Sequence, residues 1–386
     1  MCHRSLIVIV DVNGTTDSPT WSIPMTTTEQ TATTIDPAAA ERFGERMAGA
    51  LNEASLALML SVGHQAGLLD ALAELPPSTA PDIATRSGLH ERYVREWLAA
   101  MPTAGVVVYD PEAATFALPA EHAACLTRAA GPENLVRLAQ FIPLMASVER
   151  PLLDCFRTGG GVPYSEYGDF HRIMAEESAA THDAGLLTEV VPLVPGLADR
   201  LTAGIDVLDI GCGSGHAINV LAHAFPESRF VGYDFSEEAI ATGRREAAQL
   251  GLANASFEVV DVARLAEENQ FNLITAFDAI HDQAEPRTVL ANIARALRPD
   301  GVFLMVDIAA SSNLEDNLDH PMATFLYMIS TMHCTTVSLS LDGEGLGTMW
   351  GEQLARALLA EAGFGPVEVK AVESDPLNSY FVVDAT

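Results

Sequence analysis

Apolar positions along the chain keep two periods. In the first half they recur at helical spacing: Ala38–Ala66 carries a long apolar-periodic helix that continues past Gly67 into Leu68–Leu75, where Pro76 and Pro77 end it. Ala80–Thr85, the turn Arg86–Leu89 and His90–Met101 then predict helix, turn, helix. Val106–Tyr109 and Thr115–Leu118 predict two short strands, a small β wing. Linking helices are expected over Glu133–Arg157 and Phe170–Val191.

From residue 205 onward, short apolar runs of strand length take over. Val207–Ile210, Arg229–Asp234, Ser256–Val260, Phe271–Phe277 and Val302–Ile308 read as strands, separated by helices such as Ala217–Ala224 and Pro286–Leu297, the latter ended by Arg298–Gly301. Strands alternating with helices predict a parallel, doubly wound α/β sheet. After the helix Glu352–Ala362, Pro366–Val372 and Ser379–Asp384 are able to pair across the loop Glu373–Asn378. Between the fifth strand and that helix lies an insertion, Ala309–Gly351, with an apolar helix over Pro321–Thr336 and a glycine-rich stretch over Asp342–Gly351.

Composition narrows the picture. With 386 residues and 48% hydrophobic content, the chain suffices for two cores. Its net charge of −31 repels phosphate backbones and anionic lipid, so neither nucleic acid nor a membrane is an expected partner. No run approaches the roughly 20 apolar residues of a membrane span. Cys2, Cys125, Cys155, Cys212 and Cys334 are scattered without a C-x-x-C pair, which fits a reducing cytoplasm and gives no zinc site. Residues 1–37, rich in Thr, Ser and Pro, read as disordered, and Met25 offers an alternative translation start.

Candidate chemistry begins at the first strand of the second half. Asp209 closes an apolar run, and Gly211, Gly213 and Gly215 follow in tight alternation around Cys212, so that the backbone turns sharply and approaches a ligand before a helix begins. A dinucleotide loop would read G-x-G-x-x-G; here the third glycine comes one place early and an acid precedes the first. Asp234, at the end of the second strand and followed by Phe235, suits the two hydroxyls of an adenosine ribose. Asp261, followed by Val262, ends the third strand, while Phe277 and Asp278 end the fourth.

Acid, glycine loop, acid and acid at successive strand ends resemble the class I S-adenosylmethionine-dependent methyltransferases over roughly residues 203–386. The resemblance implies S-adenosyl-L-methionine as cofactor, held by Asp209, Gly211, Cys212, Gly213, Gly215, Asp234, Phe235, Asp261, Val262, Phe277 and Asp278. It also implies a Rossmann-like sheet closed by a C-terminal antiparallel hairpin. The alternative is a nicotinamide-binding or ligand-free doubly wound domain. The first half is similar to the winged helix of small-molecule O-methyltransferases, which implies homodimerisation and a roof over the substrate pocket. Three parts follow: residues 1–37 as an extension, 38–200 as the dimerising and roofing domain, and 201–386 as the cofactor domain, with a substrate lid at 309–351. A transcription regulator that reads DNA through the winged helix is the competing reading, but Glu91, Arg92, Arg95 and Glu96 leave the second helix without net charge.

Beyond the fourth strand, His281 and Asp282 match the His-Asp pair that in those enzymes contains the catalytic base, although Gln283 replaces the usual aromatic residue. A neutral imidazole suits removal of a hydroxyl proton near pH 7. Asp282, Asp278 or a carboxylate from the insertion would orient it. Without a base role, His281 would position cofactor or cap the next helix. A metal-assisted variant would draw on Asp278, Asp307 and Asn313, and no metal is expected. For the small methyl acceptor, the candidate contacts are Tyr164, Phe170, His171, Tyr327, Met328, Met332, His333 and Trp350, set against the reading of these residues as ordinary core.

Overall fold

A computed structural model describes residues 35–385. The expected disorder before residue 35 and the start at Met25 lie outside the described residues; Pro37 already opens a helix. The chain divides into two units, residues 1–50 and 51–386. The described part of the first is Ile35, Asp36 and the opening turns of helix Pro37–Gln65, all exposed.

In the second unit the chain bends by 71° where Gly67, in the left-handed region at φ 70°, ends one helix and starts Leu68–Glu74. Helix Ala80–Ser87 opens with Thr79 donating to Asp82 and closes on left-handed Gly88. Helix Glu91–Thr103 follows, then β1 (Val108–Asp110) and β2 (Thr115–Ala117) pair antiparallel, with Ser78 bridged to Phe116. Leu69, Ile83, Leu98 and Met101 form the floor of this core, and the buried Trp97 donates its indole N–H to the Met59 carbonyl at 2.7 Å.

The expected helix over Glu133–Arg157 is broken into Val136–Ala139, Phe141–Ala146 and Glu149–Thr158. Pro143 and Pro151 each fall in a first turn, where the missing N–H costs nothing, so the helix restarts before each proline. Phe170–Gly185 forms as predicted and passes into a π turn at Leu186–Val190.

The remaining strands are β3 (Asp206–Ile210), β4 (Arg229–Asp234), β5 (Ala255–Val259), β6 (Phe271–Phe277), β7 (Leu297–Ile308), β8 (Val367–Val372) and β9 (Asp375–Asp384). They form one sheet in the order β5-β4-β3-β6-β7-β9-β8, parallel from β3 to β7, with β9 antiparallel between β7 and β8. Two apolar clusters cover its faces, one around Ile274 and Phe303 and the other around Leu221 and Val302. Chain order reverses between β3 and β6, which opens a crevice at their C-terminal ends. Two strand boundaries differ from expectation by more than two residues. β7 starts at Leu297, paired with Phe271, so the extended chain begins at the helix end. β9 starts at Asp375 because the expected loop collapses: the Asp375 carboxylate accepts from Asn378 and Tyr380, and Asn378 pairs with Ile308.

The insertion forms helix Ala323–Ile329, a π turn at Ser330–Cys334 and helix Thr335–Ser340. It packs on Phe141, Val148 and Tyr167 of the linking segments. Val162 N–H donates to Thr336 Oγ1 at 2.8 Å and the Tyr167 hydroxyl donates to the Met332 carbonyl. Gly161 lies so close to Thr336 and Ser340 backbone that a Cβ has no room.

Candidate active site

The turn after β3 is built by three glycines with separate tasks. All have positive φ, at 65°, 53° and 73° for Gly211, Gly213 and Gly215. A Cβ on Gly211 would stand 2.5 Å from Ala279 Cβ, and one on Gly215 would strike the Phe257 ring. These two serve packing, while Gly213 lines an open cavity of about 570 Å³. Asp209, Gly211, Cys212, Asp234, Phe235, Asp261, Phe277 and Asp278 line the same cavity. Gly215 and Val262 do not; Val262 packs into the sheet core.

The acids of this groove are held in place by short hydrogen bonds. Asp234 accepts from Gly213 N–H at 2.9 Å and Ser236 N–H at 2.8 Å, one on each carboxylate oxygen. Burial nevertheless raises its pKa. Asp209 accepts from the Thr275 hydroxyl at 2.7 Å, and burial lifts it to about 7. Asp261 accepts from Ala263 N–H and pairs with Arg264. Burial drives the Cys212 thiol well above its ordinary value, so it is a packed group and not a thiolate.

A second cavity of about 190 Å³ adjoins the groove and shares with it Phe170, Met174, Ser178, His182, Phe277, Asp278 and Asp282. Here the structure brings His281 to Asp307, the last acid of β7, with Nδ1 2.8 Å from Oδ1. Asp282 stands 3.4 Å from the other ring nitrogen, Nε2. The residue bonded to His281 Nδ1 is thus neither of the adjacent acids nor one from the insertion. Asp307 lies 26 positions away in sequence and becomes its neighbour only because β6 and β7 are paired. Burial alone would lower the His281 pKa, but the carboxylates of Asp307 and then Asp282 outweigh it and hold the pKa well above the usual value. Asp278, with φ 50°, sits in the left-handed region, and its Oδ1 is buried without a hydrogen-bond partner. Burial and the neighbouring Asp307 push its carboxyl well up.

Of the acceptor contacts expected from sequence, Phe170 and His333 line the smaller cavity, with their rings stacked at 4.0 Å and 4°. Tyr164 and His171 line the groove, where Tyr164 packs edge-on to Phe170 and Phe235, and His171 bonds Ser236 Oγ at 2.9 Å. Tyr327, Met328, Met332 and Trp350 line neither cavity. Tyr327 accepts from Asn317, Met328 and Met332 pack against the linking helices, and Trp350 is core beside the sheet. Phe325, Leu326, Ile329 and Cys334 occupy the wall instead. The π turn adds to this wall, with both His333 and Cys334 buried in it. Gln283 lines the groove and donates to the Ala279 carbonyl. Sequence reasoning also missed Glu177, His182 and Asp375 in the chamber wall.

The oxygen triad of Asp278, Asp307 and Asn313 is not assembled, because Asn313 is exposed and donates to Asp316. Among the described residues, His281, Asp282 and Cys334 each place one potential ligand atom within 4.8 Å of the others. Burial raises the Cys334 thiol to about 11.

Comparison with known proteins follows the same division. Residues 54–128 match the Rv2258c-like winged HTH domain and residues 201–363 match a methyltransferase domain. Malonyl-[acyl-carrier protein] O-methyltransferase of Bacillus cereus is 26% identical over 159 residues, 41% of this chain and 52% of that protein. Trans-aconitate 2-methyltransferase of Variovorax paradoxus is 32% identical over 116 residues, 30% of this chain and 40% of that protein. The chain thus spans about half the length of the curated relatives it matches, or less. Mitomycin 7-O-methyltransferase MmcR shares the fold with a TM-score of 0.65 at 20% identity, covering 91% of this chain and 100% of that one. A putative O-methyltransferase of Nostoc punctiforme does so at 0.67 and 16%, covering 91% and 99%.

Proposed function

We infer, from a chain that joins a winged helix-turn-helix domain to a class I S-adenosylmethionine-dependent methyltransferase domain, that it methylates an oxygen of a small, partly apolar acceptor, with His281 as general base. The observation that carries the reading is the buried His281–Asp307 pair, whose imidazole lines a chamber that adjoins the groove of the glycine turn.

Bound in that groove, S-adenosylmethionine supplies an electrophilic methyl group. The residues fit it. Each Asp234 oxygen already accepts one backbone N–H, which fixes the carboxylate and leaves lone pairs for ribose hydroxyls. Gly213, open to the cavity, lets the loop backbone approach. In the chamber, Asp307 holds a proton on His281 Nδ1, so Nε2 is the atom that takes the acceptor's hydroxyl proton. The same carboxylate stabilises the imidazolium that results. Phe170, Phe325 and Ile329 exclude water from the reacting atoms.

Residues 38–200 serve as the dimerising and roofing part, and 201–386 as the catalytic domain with 309–351 covering it. In the second unit, Leu51, Leu58 and Val62 are exposed at spacings that fall on one side of their helix, a row suited to a second copy of the chain. The regulator reading draws no support from helix Glu91–Thr103, where Arg92 and Arg95 pair with Glu96 and Glu91 on their own helix. No single helix among the described residues is long and apolar enough to cross a membrane. The free thiols of Cys125, Cys155, Cys212 and Cys334 suit a cytoplasmic setting.

Titration calorimetry with S-adenosylmethionine, its demethylated product and NAD in parallel tests the cofactor. Micromolar binding of the first two without NAD is expected. Binding of NAD alone, or of none of the three by the folded chain, overturns the reading.

A further inference from the structure

The wall of the smaller cavity is apolar over most of its extent, yet four carboxylates enter it: Glu177, Asp278, Asp282 and Asp375. Among the described residues, no arginine or lysine lines it. Asp278 and Asp282 also line the groove, but Glu177 and Asp375 belong to the smaller cavity alone. Glu177 has Arg137 behind it, Nε to Oε2 at 3.3 Å, without a hydrogen bond being completed at that oxygen. Asp375 is held by two neutral donors, Asn378 and Tyr380, and among the described residues has no cation against it. Burial raises the Glu177 pKa, and nearby Asp375 adds to this while Arg137 opposes it.

A second observation points to a ligand. His333 is 1% exposed, lines the chamber and leaves Nε2 without a hydrogen-bond partner. Burial lowers its pKa to about 4, so at neutral pH it adds no positive charge and offers one donor and one acceptor. The cationic groups near the four wall carboxylates are thus His281, already bonded to Asp307, and Arg137 behind Glu177.

We propose that the acceptor carries a basic nitrogen as well as the hydroxyl to be methylated, and that Glu177 and Asp375 receive the ammonium while aromatic and aliphatic walls hold the body of the molecule. The proposal rests on the methyltransferase reading and adds the acceptor's class: a phenolic or alcoholic amine. A carboxylate on the acceptor would meet like charge in the chamber, which disfavours it. An ammonium there relieves repulsion that the wall otherwise bears. The chain's overall negative charge steers the same way, drawing cations toward it.

The test uses the full chain loaded with S-adenosylhomocysteine and three phenols of matched shape: tyramine, para-ethylphenol and para-hydroxyphenylpropionate. Dissociation constants are read by calorimetry at neutral pH. Tyramine should bind roughly tenfold or more tighter than the carboxylate, with the neutral phenol between them. That preference should shrink in Glu177→Gln and in Asp375→Asn, each shown to be folded by its unchanged S-adenosylhomocysteine affinity. Equal or reversed affinities overturn the proposal, as does a preference that both variants keep. Failure of all three phenols to bind overturns it as well, and S-adenosylhomocysteine binding in the same sample separates that outcome from failure of the methyltransferase reading.

Discussion

The groove after β3 and the chamber beside it differ in how their polar groups are satisfied. In the groove, Asp209 and Asp234 receive hydrogen bonds from Thr275, Gly213 and Ser236, all from neighbouring strand ends and turns. In the chamber, His333 Nε2 is buried with none, and so are Asp278 Oδ1, Asp282 Oδ1 and His182 Nδ1 in the wall that the chamber shares with the groove, where Asp278 holds a strained backbone. A buried polar atom without a partner costs about 1–3 kcal/mol. The acids of the groove around Gly213 are thus fixed beforehand, whereas the chamber and the wall it shares with the groove leave polar atoms to be satisfied by whatever enters.

The largest effect that would sharpen this contrast is His281→Ala. Turnover should fall roughly 10²–10⁴-fold while cofactor affinity stays nearly constant, measured by single-turnover kinetics beside calorimetry. A matching loss of cofactor affinity would move His281 into the groove's function and erase the division. Asp234→Ala is the converse: it should weaken cofactor binding by about 1–3 kcal/mol and leave the rate at saturation little altered.

The pH profile comes next. Because Asp307 and Asp282 hold the His281 pKa well above its usual value, the neutral base accumulates only as pH rises, and kcat/KM should climb through an acid limb lying above the ordinary imidazole range. Asp307→Asn should carry that limb to lower pH. A limb that does not move in the variant removes Asp307 as the orienting partner. The same raised pKa means that His281 contributes stability fully below the unfolded imidazole pKa and loses it as pH rises through the folded value. Smallest of all is the expected response to exhaustive chelation, which is no change in turnover. Activity lost and restored by zinc would instead assign His281, Asp282 and Cys334 to a metal.

The groove was legible in sequence because its parts are local. Asp209 and Gly213 lie within five residues, Asp234 ends the next strand, and each strand announces itself by an apolar run. The chamber was not, since Glu177, Asp307, His333 and Asp375 come from a linking helix, a central strand, the insertion and the last hairpin. No spacing rule connects them. His281 was visible as a candidate, yet its partner Asp307 depended on the β6–β7 pairing. The insertion's inner face was misread for a different reason: its partners choose which side of the apolar helix meets the cavity, and Met328 and Met332 turn to the linking helices while Tyr327 meets Asn317.

Gly161 is the tightest contact between the linking segment and the insertion, pressed on the backbone of Thr336 and Ser340, with Val162 and Tyr167 bonded alongside. Two pieces of chain so riveted do not swing separately. They form one plate, whose Pro163, Tyr164, Val337 and Ser340 line the groove and whose His333 and Cys334 line the chamber. The amides of 161–167 and 332–340 should therefore exchange hydrogen at a common rate. A single added methyl at position 161 would force the two segments apart.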